Sequence, residues 1–451
     1  MIGSAKSVEK ASLFRRLDEA RLQTDRLFEI VRSHALYERP IPERHRLIFY
    51  LGHLEAFDWN LFRRQRPSLK SFHPSFDQLF AFGIDPVDGG LPTDRPEDWP
   101  SVTEVIRYSA KARQEIDAFL EADEMEAAEG TSSISGETLL HVAIEHRLMH
   151  GETLAYLFHR LPYTQKLSQP QAVVVTQAAR PEMAVIPAGR ATLGLSHQQA
   201  DAFGWDNEFA SHQVDVPEFL IDRFMVTNGE YLQFVLAGGY EDRKFWKEAD
   251  WQWIQSQQNR QPAFWLNYDT VWTWSGMFEE VPLPLDWPVY VSHAEASAYA
   301  RWASKALPSE AQWHRAAYGD PRGTESPYPW GSDESIEGRG NFHFFRWDPL
   351  PVDAFAENAS AFGVAGQLGN GWEWTSSEFA PFTGFVPFSF YPGYSANFFD
   401  GQHYVLKGGS ARTAAPLLRR SFRNWFQPHY QYAYAGFRCV SGGGKERPQQ
   451  W

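Results

Sequence analysis

Apolar positions recur at helical spacing through the first third of the chain. Leu13, Leu17, Leu22, Leu27, Phe28 and Val31 mark the apolar stripe of a first amphipathic helix. Pro40 and Pro42 break the pattern. A second helix is predicted from about Pro42 to Arg63, through the apolar run from Phe49 to Trp59. A Pro-, Gly- and Asp-rich stretch over about 66–98 reads as a loop. Ser101, with Glu104 three residues on, has the form of a capping box and opens a third helix that ends near Glu121. Residues 122–135 are acidic and small and predict another loop, and a fourth helix spans about Ser135 to Leu161. Four such helices over residues 8–165 predict a four-helix bundle, a fold that builds metal sites from side chains on facing helices.

Beyond a polar linker at 166–182 the pattern changes. Residues 183–441 carry short strand signals, such as 183–187 and 212–216, and helical segments at about 227–237 and 292–305. Loop-rich stretches cover 318–360 and 376–405. The predicted class is α+β in two domains, a helical one followed by a mixed one with much irregular structure.

Composition narrows the possible partners. The 451 residues include 18 Trp, 18 Tyr and 34 Phe, large side chains suited to pinning long loops. The net charge is −14 and no basic block stands out, which argues against a nucleic-acid partner. No apolar run is long enough to span a bilayer, and the first residues form a charged helix rather than a secretory signal, so neither membrane nor export is expected. The single cysteine, Cys439, excludes an intrachain disulfide and suits a reducing cytoplasm.

The most informative chemistry is His146-Arg-Leu-Met-His150-Gly-Glu152. Two histidines four residues apart on a helix lie on one face, one turn apart, where both can grip a single ion. Glu152 follows as a further ligand or as an acceptor that orients a histidine. His53, in the apolar second helix, is the third candidate. Three imidazoles on two facing helices suit a mononuclear site with open positions, and imidazole serves iron, copper, zinc or nickel alike.

A series of short motifs runs through the second half. They are Pro187-Ala188-Gly189, Trp205-Asp206-Asn207-Glu208, Val226 to Tyr231 and Pro288 to Ser292, then Leu307 to Trp313, Gly369 to Thr375, Lys407 to Ser410 and Ala435 to Cys439. In this order they resemble the formylglycine-generating-enzyme/sulfatase-modifying-factor family, which has a C-type-lectin-like fold. Residues 8–165 resemble the DinB-like helical bundle, with His53, His146 and His150 where iron-dependent members carry ligands. The fusion of the two is similar to the ergothioneine-synthase family of non-heme iron sulfoxide synthases. The resemblance implies iron(II), dioxygen and oxidative C–S bond formation between hercynine (Nα-trimethylhistidine) and a thiol, with both halves contributing. It implies that Asn424 and Trp425 bind hercynine, and that Tyr391 or Tyr394 acts as a proton donor.

Departures from the family pattern bear on the thiol. Members that use γ-glutamylcysteine have an acid after the Asn-Trp pair, where this chain has Phe426. They carry two arginines in a loop matched here by Phe72 to Phe80, which has none, and a glutamine where this chain has Met149. Cysteine needs one carboxylate partner, which Arg420 or Arg423 would supply, and is the expected donor. A selenosugar donor, as in selenoneine-forming relatives, and a non-catalytic ligand-binding role are the alternatives. A formylglycine-generating activity would need a cysteine pair, and the chain has one cysteine. A zinc-dependent thiol transferase would explain the bundle and leave the second half unused.

Overall fold

In the computed structural model, residues 2–66, 68–81, 91–122, 134–169, 171–175, 181–198, 203–257 and 260–442 are described, residues 2–9 by their backbone alone. Parts of the expected loops, 82–90 and 123–133, and residues 170 and 176–180 of the expected linker lie outside the described residues. The chain divides into two compact units, residues 1–170 and 171–451.

The first unit is helical. Helix α1 (Ile2–Glu29) packs along α5 (Gly136–His159), and α2 (Leu47–Gln65) packs on both α4 (Val102–Glu121) and α5. The capping box that opens α4 is formed in full: Ser101 N–H donates to Glu104 at 2.9 Å, and Glu104 N–H donates to Ser101 Oγ at 3.3 Å. Leu13, Leu17 and Leu27 are buried as the apolar stripe requires. Leu22 departs from it at 49% exposed. Arg21 and Thr24 take the buried face instead, because the Arg21 guanidinium reaches Asp117 on α4 at 2.6 Å.

Helix α2 begins at Leu47, five residues later than the sequence pattern predicts. Arg46 is extended (φ −65°, ψ 154°), and its guanidinium donates to Tyr37 O at 2.7 Å and to Asp94 O at 2.8 Å. Those bonds pull residues 42–46 out of the helix. The predicted loop at 66–98 also contains a short helix, α3 (Pro74–Leu79), with proline in its first turn. No described helix is long and apolar enough to cross a membrane.

The second unit is α+β. Its largest sheet has the order β10-β9-β8-β11, from β8 (Gly371–Glu378), β9 (Tyr404–Gly409), β10 (Asn424–Phe426) and β11 (Ala435–Gly436). Strands β8 and β9 are antiparallel with Gly371 opposite Gly409, and β10 pairs antiparallel to β9 with Asn424 opposite Leu406. Around it lie a three-stranded sheet of β1 (Met183–Ile186), β4 (Phe219–Asp222) and β12 (Val440–Ser441), the pair β2 (Gly189–Leu193) and β3 (His212–Val216), and a meander of β5 (Trp265–Tyr268), β6 (Val271–Ser275) and β7 (Glu280–Pro282). Four short helices, α6 (Asn228–Leu236), α7 (Glu248–Ser256), α8 (His293–Trp302) and α9 (Glu310–Tyr318), complete the unit. Thr227, Ser292 and Ser309 cap α6, α8 and α9 in capping boxes.

Aromatic side chains fill this core: Trp205, Trp265, Trp274, Trp287, Trp313 and Trp374 are fully buried. Arg438 crosses the same core and meets Glu373 in a two-point contact, 2.6 Å on each arm, while Trp313 Nε1 donates to the same carboxylate at 2.8 Å. A buried charge with its partners all in place keeps irregular loops in one arrangement.

Candidate metal centre

His53 projects from α2, and His146 and His150 from α5. One ring nitrogen from each lies within 4.8 Å of the others, and all three side chains are buried. His146 Nε2 and His150 Nε2 are 3.1 Å apart. The helical spacing therefore delivers the expected trio to one point. Glu152 is outside this cluster.

Protonation favours metal binding. Burial pushes His53 down to about 4. Burial first, then the neighbouring histidines, holds His146 and His150 well below the usual imidazole range. All three are neutral near pH 7, the form that donates a lone pair to a metal. His53 Nδ1 lies 2.7 Å from Phe80 O, just past the end of α3. A carbonyl only accepts, so the proton sits on Nδ1 and Nε2 is left for an ion. With their protons on Nδ1, the two Nε2 atoms that converge at 3.1 Å would both turn lone pairs to a shared cation, and the donor set fits a divalent transition metal.

The walls are aromatic. Phe49 stacks on His53 at 4.8 Å and Phe57 on His146 at 3.4 Å between ring centres. Phe80 comes close only because residue 52 is glycine: a Cβ there would lie 2.6 Å from the Phe80 ring. Gly52→Ala is expected to push Phe80 away and to loosen its carbonyl from His53. Loss of such an orienting contact weakens metal binding by about 10- to 100-fold. A competition titration with a chromophoric chelator measures it, and unchanged affinity would refute the role.

A buried ion cluster holds α2 against α5 beside the histidines. Arg147 forms an ion pair with Glu55 at 3.0 Å and donates to Asp58 at 2.8 Å and to Leu54 O at 3.0 Å. Arg113 on α4 joins Glu55 to Asp25 of α1. Burial pushes Asp58 up to about 6 despite Arg147. Burial also acts to raise Glu55, but Arg147 and Arg113 outweigh it and hold its carboxyl low. The sequence reading missed this cluster and the Phe80 carbonyl. A glutamate, an aspartate and an arginine set among apolar helix positions were the available signal.

In the second unit, the structure brings Trp425, Tyr394 and Tyr391 together. Trp425 on β10 stacks on Phe379 at 4.2 Å, with Phe398 at 5.5 Å and Tyr394 edge-on at 5.6 Å. Tyr394 stacks on Trp205 at 4.0 Å and lies 5.7 Å from Tyr391. Asn424 Oδ1 accepts from Trp425 N–H at 2.9 Å. Asp206 anchors this loop by accepting from Ser395 Oγ at 2.5 Å. Arg420 pairs with Glu325 at 3.0 Å. Arg423 pairs with Glu310 at 3.1 Å and lies 4.1 Å over Phe382 and 5.0 Å over Phe379, behind the ring on which Trp425 rests. Phe426 stacks on Tyr430 at 4.7 Å.

Comparison with known proteins agrees with this division. The model of the sulfatase-modifying factor enzyme 1-like domain matches residues 169–442, and that of the DinB superfamily matches 16–154. A hercynine oxygenase of Mycobacterium tuberculosis is 42% identical over 237 residues, 52% of this chain and 55% of the relative. One of Mycolicibacterium smegmatis is 36% identical over 309 residues, 66% of this chain and 70% of the relative. Ergothioneine biosynthesis protein 1 of Neurospora crassa is 28% identical over 501 aligned residues, covering 91% of this chain and 55% of the relative. The chain thus spans little more than half of the first and third of these.

Proposed function

This chain belongs to the sulfatase-modifying factor enzyme 1-like family, and from that premise, its DinB match and its similarity to hercynine oxygenases we propose that it is a hercynine oxygenase of ergothioneine biosynthesis. The reaction joins hercynine, a thiol and dioxygen into a sulfoxide and water, so that one oxygen atom ends on sulfur and the other in water. The observation that carries the reading is the buried cluster of three neutral histidines with converging nitrogens.

His53, His146 and His150 would hold iron(II), which supplies the redox chemistry with dioxygen. Three imidazoles would hold the ion without filling its coordination sphere. Phe80 O keeps the His53 tautomer fixed. Trp425 and its aromatic neighbours present ring faces and edges suited to a trimethylammonium group, and Asn424 supplies an amide for the carboxylate end. Tyr391 or Tyr394 donates a proton from its hydroxyl. The partners are small molecules, and the buried thiol of Cys439 suits a cytoplasmic setting.

Cysteine is the proposed donor. A site for γ-glutamylcysteine would need partners for two carboxylates. Phe426 places a stacked ring where an acid would be needed, and Asp77, within the arginine-free stretch, already takes Arg63 at 2.9 Å. The test is anaerobic purification with iron(II), then incubation with hercynine, oxygen and cysteine, γ-glutamylcysteine or a selenosugar, followed by mass spectrometry. Cysteine is expected to give the highest kcat/KM. A clear preference for the dipeptide or the selenosugar would overturn the donor, and no product with any of the three would overturn the activity.

Trp425→Ala is expected to weaken hercynine binding and blunt its preference over histidine. A cation on an indole contributes about 0.5 to 2 kcal/mol, or roughly 2- to 30-fold in affinity. Calorimetric titration with both ligands reads it, and an unchanged preference would leave Trp425 as packing only.

A further inference from the structure

Four arginines fall within residues 410–423, the segment that joins β9 to β10. Three of them meet an acid of this chain. Arg419 Nε donates to Glu208 at 2.8 Å, Arg420 to Glu325 at 3.0 Å and Arg423 to Glu310 at 3.1 Å. Arg412 does not. Its side chain is 0% exposed, and neither its Nε nor its two terminal nitrogens has a hydrogen-bond partner among the described residues.

The backbone around Arg412 is fixed. Arg412 N–H donates to Ser410 Oγ at 3.1 Å. Ala411 O and Thr413 O accept from Phe344 and His343 N–H at 2.9 and 2.8 Å. The guanidinium lies 4.1 Å over the Tyr434 ring and 6.0 Å from that of Trp347. Stacking on a ring face offsets part of the cost of burying the charge but leaves the N–H fork without an acceptor. A buried cation without a counter-ion is strongly disfavoured, and the planar fork matches a carboxylate at two points.

We propose that Arg412 anchors the carboxylate of a small-molecule substrate, an inference that rests on the proposed reaction and names the residue that reads one of its acids. Hercynine and cysteine each carry one carboxylate. Arg420 and Arg423 are held by Glu325 and Glu310, whereas Arg412 has its whole fork to offer.

The test uses the full-length chain, loaded anaerobically with iron(II), as wild type, Arg412→Met and Arg412→Lys. Each is titrated calorimetrically with hercynine, its decarboxylated analogue Nα-trimethylhistamine, cysteine and cysteamine. Arg412→Met is expected to weaken one of the two acids by about 10- to 100-fold, the range for a charge-assisted contact, and to leave its decarboxylated analogue within about twofold. Which acid suffers identifies the substrate. The lysine variant is expected to recover part of the loss, since it keeps the charge without the fork. If the methionine variant fails to fold, the lysine variant carries the test through its own smaller loss. Equal affinity of both acids in wild type and variants would overturn the proposal. If wild type binds none of the four ligands, the proposed function has failed, and acetate then decides the anchor. A rise in melting temperature with acetate that Arg412→Lys loses supports it, and the same rise in both, or none, overturns it.

Discussion

Replacing His150 with alanine is expected to remove the proposed iron and the proposed turnover together. Two neutral imidazoles remain after the change, from His53 and His146, and among the described residues no fourth group in the cluster replaces the third. Iron content by elemental analysis is expected to fall from about one per chain to a small fraction, with product formation lost in proportion. The same holds for His53→Ala and His146→Ala. Full iron occupancy in the His150→Ala protein would sink the assignment of the centre. The helix itself should survive, because alanine is the best helix former and the position lies mid-helix in α5.

The three histidines of the candidate centre were legible in the sequence for a local reason. The spacing of His146 and His150 is a property of one helix, and His53 stands out as a polar group in an apolar run. Helix caps were legible too, since Ser101 and Glu104 act on each other three residues apart. What holds the site was not, because it depends on contacts far apart in the chain. The acceptor for His53 is a backbone carbonyl 27 residues away, and it reaches the ring only because Gly52 lacks a side chain. Pairing of Arg419 with Glu208 spans 211 residues, that of Arg423 with Glu310 spans 113, and that of Arg420 with Glu325 spans 95. Sequence pattern shows such arginines as free charges, and only the fold shows that Arg412 meets no acid among the described residues. Two of the local misreadings have the same origin. Leu22 fits the helical period but yields the buried face to Arg21, and the residues before Leu47 fit a helix but are drawn off by Arg46.

Arg147→Met costs the first unit about 3–5 kcal/mol of stability, the range for removing one partner of a buried ion pair. Both carboxylates it serves are fully enclosed, with Glu55 and Asp58 at 2% and 1% exposure. Glu55 keeps Arg113 as a partner, whereas Asp58 has Arg147 as its only ion pair among the described residues. Asp58 is already pushed up to about 6 by burial with the arginine present, so its loss raises that carboxyl further. The sign of the pH dependence follows. An acid whose folded-state pKa lies above its unfolded value favours the folded state when protonated, so its penalty is present above the folded pKa and fades as pH falls through it. The stability difference between wild type and Arg147→Met is therefore expected to be largest near pH 8 and to shrink toward pH 5. The buried histidines destabilise the fold as pH falls, and the Arg147 charge helps to hold all three low, so its loss eases that penalty and also narrows the difference toward pH 5. Urea unfolding of the full chain across this range measures it. A second variant separates lost packing from stranded charge: adding Asp58→Asn to Arg147→Met removes the orphaned acid and is expected to recover a large part of the loss. A pH-independent difference, or no recovery in the double variant, would show that Arg147 stabilises the bundle by its bulk rather than by its charge.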